Sequence, residues 1–223
     1  MSMSRAFEVF VRQVRPVLVQ HHGEALAEKI EAATRVEYER VRPQVPDIGG
    51  LANVFQPVMI ANGWIVALYR GMAGQGLAAL DAARACQEAL DIWFRKAPAW
   101  LLRGIGRALL SPPARWFFER QAGRSQKRRY AEDFVWSLES GPGGELSMIF
   151  EECAVNKWYE TQGVPELAPF CNFADVTYSR LMGMGIDASE TIGQGCDRCA
   201  LRYKRGRPTA IPSNLEAIVR AEP

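Results

Sequence analysis

The chain has 223 residues, of which 48% are hydrophobic and 23% charged, which is ordinary for a globular protein with a sizeable core. Its 27 basic and 25 acidic residues nearly balance, so the overall charge gives no reason to expect nucleic acid or acidic lipid as a partner. The N-terminus has no secretion-signal pattern, and the apolar run 54–69 is too short and too polar to span a bilayer. We therefore expect a soluble, cytoplasmic protein with no stable membrane insertion.

The first 130 residues have apolar side chains at helical spacing. Cys86 falls within one apolar stripe and is predicted to be a core residue. Trp100, Trp116, Phe117 and Phe118 have arginines between them; core packing is the preferred interpretation and a membrane-surface helix the alternative. Helices are predicted over about 24–42, 54–72, 77–96, 99–110 and 115–129.

After Tyr130 the apolar spacing changes from a helical period to alternation, which is typical of strands. The predicted fold class is α+β, with a helical N-terminal half (1–130) packed with a small C-terminal part of antiparallel sheet and helices (131–207) in one integrated domain. The tail 208–223 is expected to be loosely attached. Strands are predicted at 134–139, 145–152, 187–192 and 200–204, with helices at 153–162 and 166–182.

Four of the five cysteines lie between positions 153 and 199, and this clustering is the strongest indication of a site. Cys153 is predicted to begin a helix, where the helix dipole and Lys157 one turn later would stabilise a thiolate. If the next segment is a continuous helix, Cys171 and Asp175 share one face and Tyr178 lies one turn beyond. A thiol and a carboxylate would then point into the same space.

Cys196 and Cys199 form a CxxC pair at a turn, a spacing that lets two thiolates bind one metal ion. With Cys153 and Cys171 they would make a four-thiolate site for zinc or another transition metal. Two other interpretations stay open, a catalytic thiol and small thiols packed in a core without metal. An odd number of cysteines without export favours thiols or metal ligands over disulfides.

Several kinds of chemistry are made less plausible by what the sequence lacks. His21 and His22 are the only histidines and lie far upstream, which disfavours a cysteine–histidine or serine–histidine–aspartate site in the C-terminal part. No P-loop and no strand-anchored GxGxxG are present, so no nucleotide cofactor is expected. The basic stretch 124–129 is interpreted as a solvated helix end, with phosphate contact as the alternative, and no nucleic-acid partner is expected.

The motifs of the C-terminal third resemble those of the L-2-amino-thiazoline-4-carboxylate hydrolase family. They are the segment from Cys153 to Cys171 (CAVNKWYETQGVPELAPFC), then Asp175, and the segment 195–205 (GCDRCALRYKR). The N-terminal half is also similar to that family in the PDIGG motif at 46–50, in Asn53 and in the segment 67–77. The resemblance covers nearly the whole chain.

The resemblance implies a hydrolase that opens a small cyclic amidine by adding water to the ring carbon between sulfur and nitrogen. Asp175 or the cysteines would supply the base or nucleophile, and Tyr178 or Glu152 the acid. The substrate would be held by Arg202, Arg198 and Asn53. The expected catalytic set is therefore Cys153, Cys171, Asp175, Tyr178 and Cys199.

Two departures from the family pattern bear on activity. The family has Cys-Asp-Phe at its last cysteine, whereas Cys199 is followed by Ala200 and Leu201, and Cys196 is additional. The spacing from Cys171 to Asp175 is one residue longer than the family pattern. If the replaced acid is catalytic, this chain acts on another substrate or binds a small ligand without hydrolysis, and a lyase, isomerase or redox enzyme is a further alternative. The apolar helices would also allow a homodimer.

Overall fold

A computed structural model describes residues 3–219 and shows an α+β architecture. Six helices precede a four-stranded antiparallel sheet, and two further helices lie in the connection between its second and third strands along the chain. The helices are α1 (Met3–His22), α2 (Glu24–Val41), α3 (Gln56–Ala73), α4 (Ala79–Arg95), α5 (Ala99–Leu109), α6 (Pro112–Ser125), α7 (Ala154–Thr161) and α8 (Phe173–Met182), and the strands are β1 (Val135–Ser140), β2 (Leu146–Glu152), β3 (Ile186–Glu190) and β4 (Cys199–Tyr203).

The helical half forms around α3, the most apolar helix of the chain, which packs against α2, α4 and α7. Met59, Val66 and Met72 of α3 are fully buried, as expected for a helix at the centre of a bundle. Cys86 on α4 is buried in the same core, which confirms its prediction. The predicted N-terminal helices are confirmed with shifts of a few residues at their ends.

The sheet has the strand order β1-β2-β4-β3, and every neighbouring pair is antiparallel. A short turn over 141–145 joins β1 to β2, and Gly143 there has a φ of +67°, which glycine adopts without strain. The four strands lie close to the ranges that the alternating pattern predicts. Because side chains alternate between the faces of a strand, Cys199 and Tyr203 of β4 point to one face and Arg202 to the other.

The predicted continuous helix over 166–182 is wrong. The segment Pro165–Phe170 is a 3-10 helix, a turn follows at Cys171 and Asn172, and only then does α8 begin. Pro169 explains the break, because proline supplies no amide hydrogen and its ring clashes with the preceding helical turn. The turn places Cys171 just before α8.

The tail is more firmly attached than its composition indicated, up to the last described residue. Leu215, Ile218 and Val219 are buried in the main core, and Asn214 donates a hydrogen bond to the carbonyl of Pro169 at 2.6 Å. The helical half and the sheet contribute to this same core. Residues 220–223 of the predicted tail lie outside the described residues.

The aromatic residues of α5 and α6 do not all pack inside, so the core interpretation is wrong for three of them. Trp100 is 75% exposed, Trp116 60% and Phe117 43%, whereas Phe118 packs against the core. None of the helices described within residues 3–219 is both long and apolar enough to cross a membrane.

Candidate functional site

The structure brings three of the four clustered cysteines together with a carboxyl group and several phenols where α8, β4 and the start of α7 meet. We call this set the thiol–carboxyl cluster. The Cys153 and Cys199 side chains interact, and electrostatic interactions connect Asp175 with both Cys171 and Cys199. Its members are Cys153, Tyr159, Cys171, Asp175, Tyr178, Cys199 and Tyr203.

Asp175 lies in the first turn of α8 and is the acidic centre of the cluster. Its carboxylate accepts a short hydrogen bond from the Tyr178 hydroxyl, which lies 3.5 Å from the hydroxyl of Tyr203. Among the described residues no cation forms a salt bridge with Asp175. Burial therefore dominates over the hydrogen bond from Tyr178 and raises the pKa of Asp175 to about 6. This carboxyl group changes its charge close to neutral pH.

The thiols near Asp175 are held in their protonated form. The Cys153 hydrogen bond and then burial raise the pKa of Cys199 strongly, even though the amide of Ile192 donates to its sulfur at 3.2 Å. Burial raises the pKa of Cys171, and negative charge on Cys199 or Asp175 raises it further. A thiolate is the reactive form of cysteine, so neither residue is a preformed nucleophile at neutral pH.

Cys171 is half-buried, whereas Cys153 and Cys199 are buried. The loop of Ile192–Gln194 packs closely against the Cys171 thiol. A Cβ atom at Gly193 would lie 2.1 Å from the carbonyl oxygen of Ala168 and 3.3 Å from the Cys171 sulfur, so the approach requires glycine.

Two cluster residues were not predicted from the sequence, Tyr159 and Tyr203. Tyr159 is buried on α7 and donates a 2.5 Å hydrogen bond to the side-chain oxygen of Asn62 on α3. Tyr203 lies four residues after Cys199 on β4, and strand alternation places both on one face. This alternation was the one sequence signal that could have identified Tyr203.

Asn156 is a further polar residue that the sequence did not single out. It lies on α7, one helical turn after Cys153, and is buried with both side-chain amide atoms lacking a hydrogen-bond partner among the described residues. Buried amides are almost always satisfied, and an exception calls for a physical explanation such as a bound ligand or water.

The predicted support for a Cys153 thiolate is not realised. The Lys157 ammonium group donates to Glu152 and to the carbonyl oxygens of Ala131 and Asp133 rather than to the Cys153 sulfur. The Cys153 side chain also forms no capping hydrogen bond with α7. Glu152, an alternative acid in the predictions, is engaged by Lys157 and Arg128.

The predicted substrate-binding arginines lie away from the cluster. Arg198 and Arg202 both pair with Glu190, at 3.0 and 2.6 Å, and Arg202 points to the opposite face of the sheet from Cys199. Cys196 is half-buried in the turn before β4 and is not among the groups that shift the pKa of Cys171 or Cys199. His21 pairs with Glu88 on the helical side.

The predicted four-thiolate metal site stays a prediction. Within residues 3–219 no three histidine, cysteine, aspartate or glutamate side chains are grouped so that they could hold a metal ion.

Asn53, the third predicted substrate-binding residue, lines a separate cavity of about 600 Å³ between α6, the 48–53 loop and the start of β1. Its side-chain amide donates to the Asp133 carboxylate at 2.9 Å and to the Ile48 carbonyl at 2.7 Å. Burial raises the pKa of Asp133. Four cations also line the cavity, Arg120, Arg124, Lys127 and Arg129.

Comparisons of the chain with protein-family models, with curated proteins and with solved structures find no match. The resemblance to the aminothiazoline-carboxylate hydrolases therefore rests on the sequence motifs alone.

Proposed function

We propose that the chain is a hydrolase that opens a small cyclic amidine, of the 2-aminothiazoline-4-carboxylate type, with Asp175 as its general base. The observation that carries the proposal is the Asp175 carboxyl group, whose pKa is raised to about 6 by burial beside thiols and phenols. General bases work best when their pKa lies near the operating pH. The sequence motifs supply the substrate class, and the geometry supports the assignment of the base.

The reaction requires one proton acceptor that later becomes a proton donor. Above pH 6 the Asp175 carboxylate takes a proton from water as the water oxygen bonds to the ring carbon between sulfur and nitrogen. The protonated Asp175 returns this proton to the ring nitrogen, which gives a neutral adduct. Asp175 then takes the remaining hydroxyl proton and delivers it to the ring sulfur as the carbon–sulfur bond breaks and the carbonyl group of the carbamoyl product forms. The same group acts in both steps, and no other reactant is needed.

The surrounding residues favour water over a thiolate as the attacking group. The raised pKa values of Cys171 and Cys199 keep their thiols protonated while Asp175 is already ionised. The hydroxyl of Tyr178 holds one carboxylate oxygen in place, which leaves the other free to accept a proton from water. In this proposal the Cys171 thiol contacts the substrate, and Cys153 and Cys199 pack behind Cys171.

The test is turnover of 2-aminothiazoline-4-carboxylate and related cyclic amidines, with the carbamoyl product identified by mass spectrometry. Asp175→Asn keeps the shape and the acceptor for Tyr178 but removes the base, so kcat/KM should fall by about 10²–10⁴. Asp197→Asn is the matched control, because Asp197 is exposed in the nearby turn before β4. Turnover of none of these compounds by the wild type, or unchanged turnover by Asp175→Asn, would sink the proposal.

A second candidate function, binding of a small anion without turnover, is favoured by the cavity beside Asn53. Lys127 and Arg129 line this cavity and form no salt bridge within the described part of the chain. Calorimetric titration with citrate and pyrophosphate as probes tests this function. Lys127→Gln/Arg129→Gln should weaken binding about tenfold or more, and equal affinity in both proteins would exclude the cavity as the site.

A further inference from the structure

Charge is concentrated in one stretch of the chain. Residues 92–130 contain ten lysines and arginines and a single acidic residue, Glu119, in a protein whose formal net charge is only +2. Arg103 and Arg107 on α5 are exposed and have no carboxylate partner among the described residues. Three of the ten cations pair with carboxylates, namely Arg95 with Asp91, Arg115 with Glu119 and Arg128 with Glu152. The other seven form no salt bridge among the described residues, so this stretch is positive within a nearly neutral molecule.

The same stretch exposes large apolar side chains. Trp100 is 75% exposed, Trp116 60% and Trp93 47%. Two aliphatic residues of α5, Leu101 and Ile105, are exposed as well. Seven of the exposed large hydrophobic residues of the described chain fall within 92–117, namely Ile92, Trp93, Trp100, Leu101, Ile105, Trp116 and Phe117. We call these residues, with Arg103, Arg107 and Arg120, the aromatic–basic surface.

The fold holds α5 with this surface facing outward. The other face of the helix carries Leu102 and Gly106, which are buried against α8. A Cβ atom at Gly106 would lie 2.3 Å from the Met182 carbonyl oxygen, so α5 cannot rotate to bury Trp100 without losing this close contact. On α6 the Arg120 guanidinium lies 5.0 Å from the centre of the Trp116 ring, which keeps the cation beside the exposed aromatic residue.

We propose that the aromatic–basic surface binds the interface of an anionic lipid bilayer, independently of the hydrolase activity. Tryptophan prefers the boundary between headgroups and acyl chains, and arginines on the same helix pair with anionic headgroups. In this geometry α5 lies in the plane of the interface with Trp100, Leu101 and Ile105 inserted. The charge pattern disfavours a symmetric dimer, because a two-fold axis through this surface would oppose cations to cations. Leu101 and Ile105 also offer no ring on which a nucleic-acid base could stack.

The test is co-sedimentation of the full chain with vesicles of phosphatidylcholine alone and with about one third phosphatidylserine. We expect binding to the anionic vesicles only, with loss at about 1 M salt because screening removes the headgroup attraction. Binding to neither vesicle would overturn the proposal. An oligomer that forms without lipid and is abolished by Trp100→Ala/Trp116→Ala would also overturn the proposal. Preferential binding of single-stranded RNA in a competition with anionic vesicles would overturn it too.

Paired variants separate the two contributions. Arg103→Gln/Arg107→Gln should lower the vesicle partition coefficient about 30-fold, and Trp100→Ala/Trp116→Ala about tenfold or more. Arg5→Gln/Lys29→Gln removes the same charge from exposed positions on α1 and α2 and should bind as the wild type does. If this control loses as much binding as the α5 pair, net charge alone is responsible and the assignment to this surface is wrong. Melting temperatures near the wild-type value establish that the variants are folded.

Discussion

Replacing Asp175 by asparagine should stabilise the protein at neutral pH while lowering kcat/KM of the proposed reaction by about 10²–10⁴. Burial raises the pKa of this carboxyl group to about 6 in the folded chain, from an ordinary value of 3.8. The folded state therefore holds this proton more tightly than the unfolded state. The contribution of Asp175 to stability is fully present below pH 4 and is lost as the pH rises through 6.

The size of the effect follows from the pKa shift. One pKa unit corresponds to about 1.36 kcal/mol, so the ionised Asp175 lowers the free energy of unfolding above pH 7 by roughly 3 kcal/mol relative to its neutral form. Asparagine has a similar shape, keeps an oxygen that accepts from Tyr178 and never ionises. For a chain of this length the gain corresponds to a rise of about 6–12 °C in melting temperature.

The assay is urea unfolding of wild type and Asp175→Asn between pH 4 and pH 8. The difference in free energy of unfolding should be small at pH 4, grow through pH 6 and level off above pH 7. Glu190→Gln is a control of opposite sign, because Arg202 and Arg198 lower the pKa of Glu190 and removing its charge should destabilise the protein at neutral pH. A difference for Asp175→Asn that does not change with pH would refute the reasoning about burial.

Two further predictions concern packing and thiol reactivity. Gly106→Ala should lower the free energy of unfolding by about 2–3 kcal/mol, because its Cβ would collide with the Met182 carbonyl. Gly104→Ala, on the open side of α5, should raise the free energy of unfolding by up to about 1 kcal/mol. Urea unfolding of both variants measures these changes, and equal effects would contradict the packing of α5 on α8. Iodoacetamide at pH 8 should modify Cys196 about tenfold faster than Cys86 or more, because burial raises the pKa of Cys86 to about 12. Peptide mass spectrometry measures the two rates. Modification of Cys86 before Cys196 would contradict the burial of Cys86 in the core.

The elements that the sequence predicted well are those with a clear period. The alternation from Phe134 and the glycine-rich turn at 141–144 predicted the hairpin of β1 and β2, because both strands bury one face and the turn needs glycine. Cys86 was recognised as core because it lies mid-stripe on α4. These features depend on local spacing and local backbone conformation, which a single sequence displays directly.

The parts that the sequence could not predict depend on contacts distant in the chain. Cys171 and Asp175 share a site through a turn after a 3-10 helix, and not through the continuous helix that their spacing indicated. Tyr159 and Tyr203 join the cluster because α7 and β4 converge there. Trp100 stays exposed because Gly106 and Leu102 occupy the buried face of α5. Helical periodicity alone does not predict which face of α5 is buried.

The most direct test of the central claim is the pH dependence of kcat/KM for opening of 2-aminothiazoline-4-carboxylate by the wild-type chain. If Asp175 is the general base, the rate should increase tenfold per pH unit at acid pH, bend at an apparent pKa of about 6 and stay level to pH 8. A rate that is constant from pH 5 to pH 8, or one that bends only near the pKa of an ordinary thiol, would contradict the account.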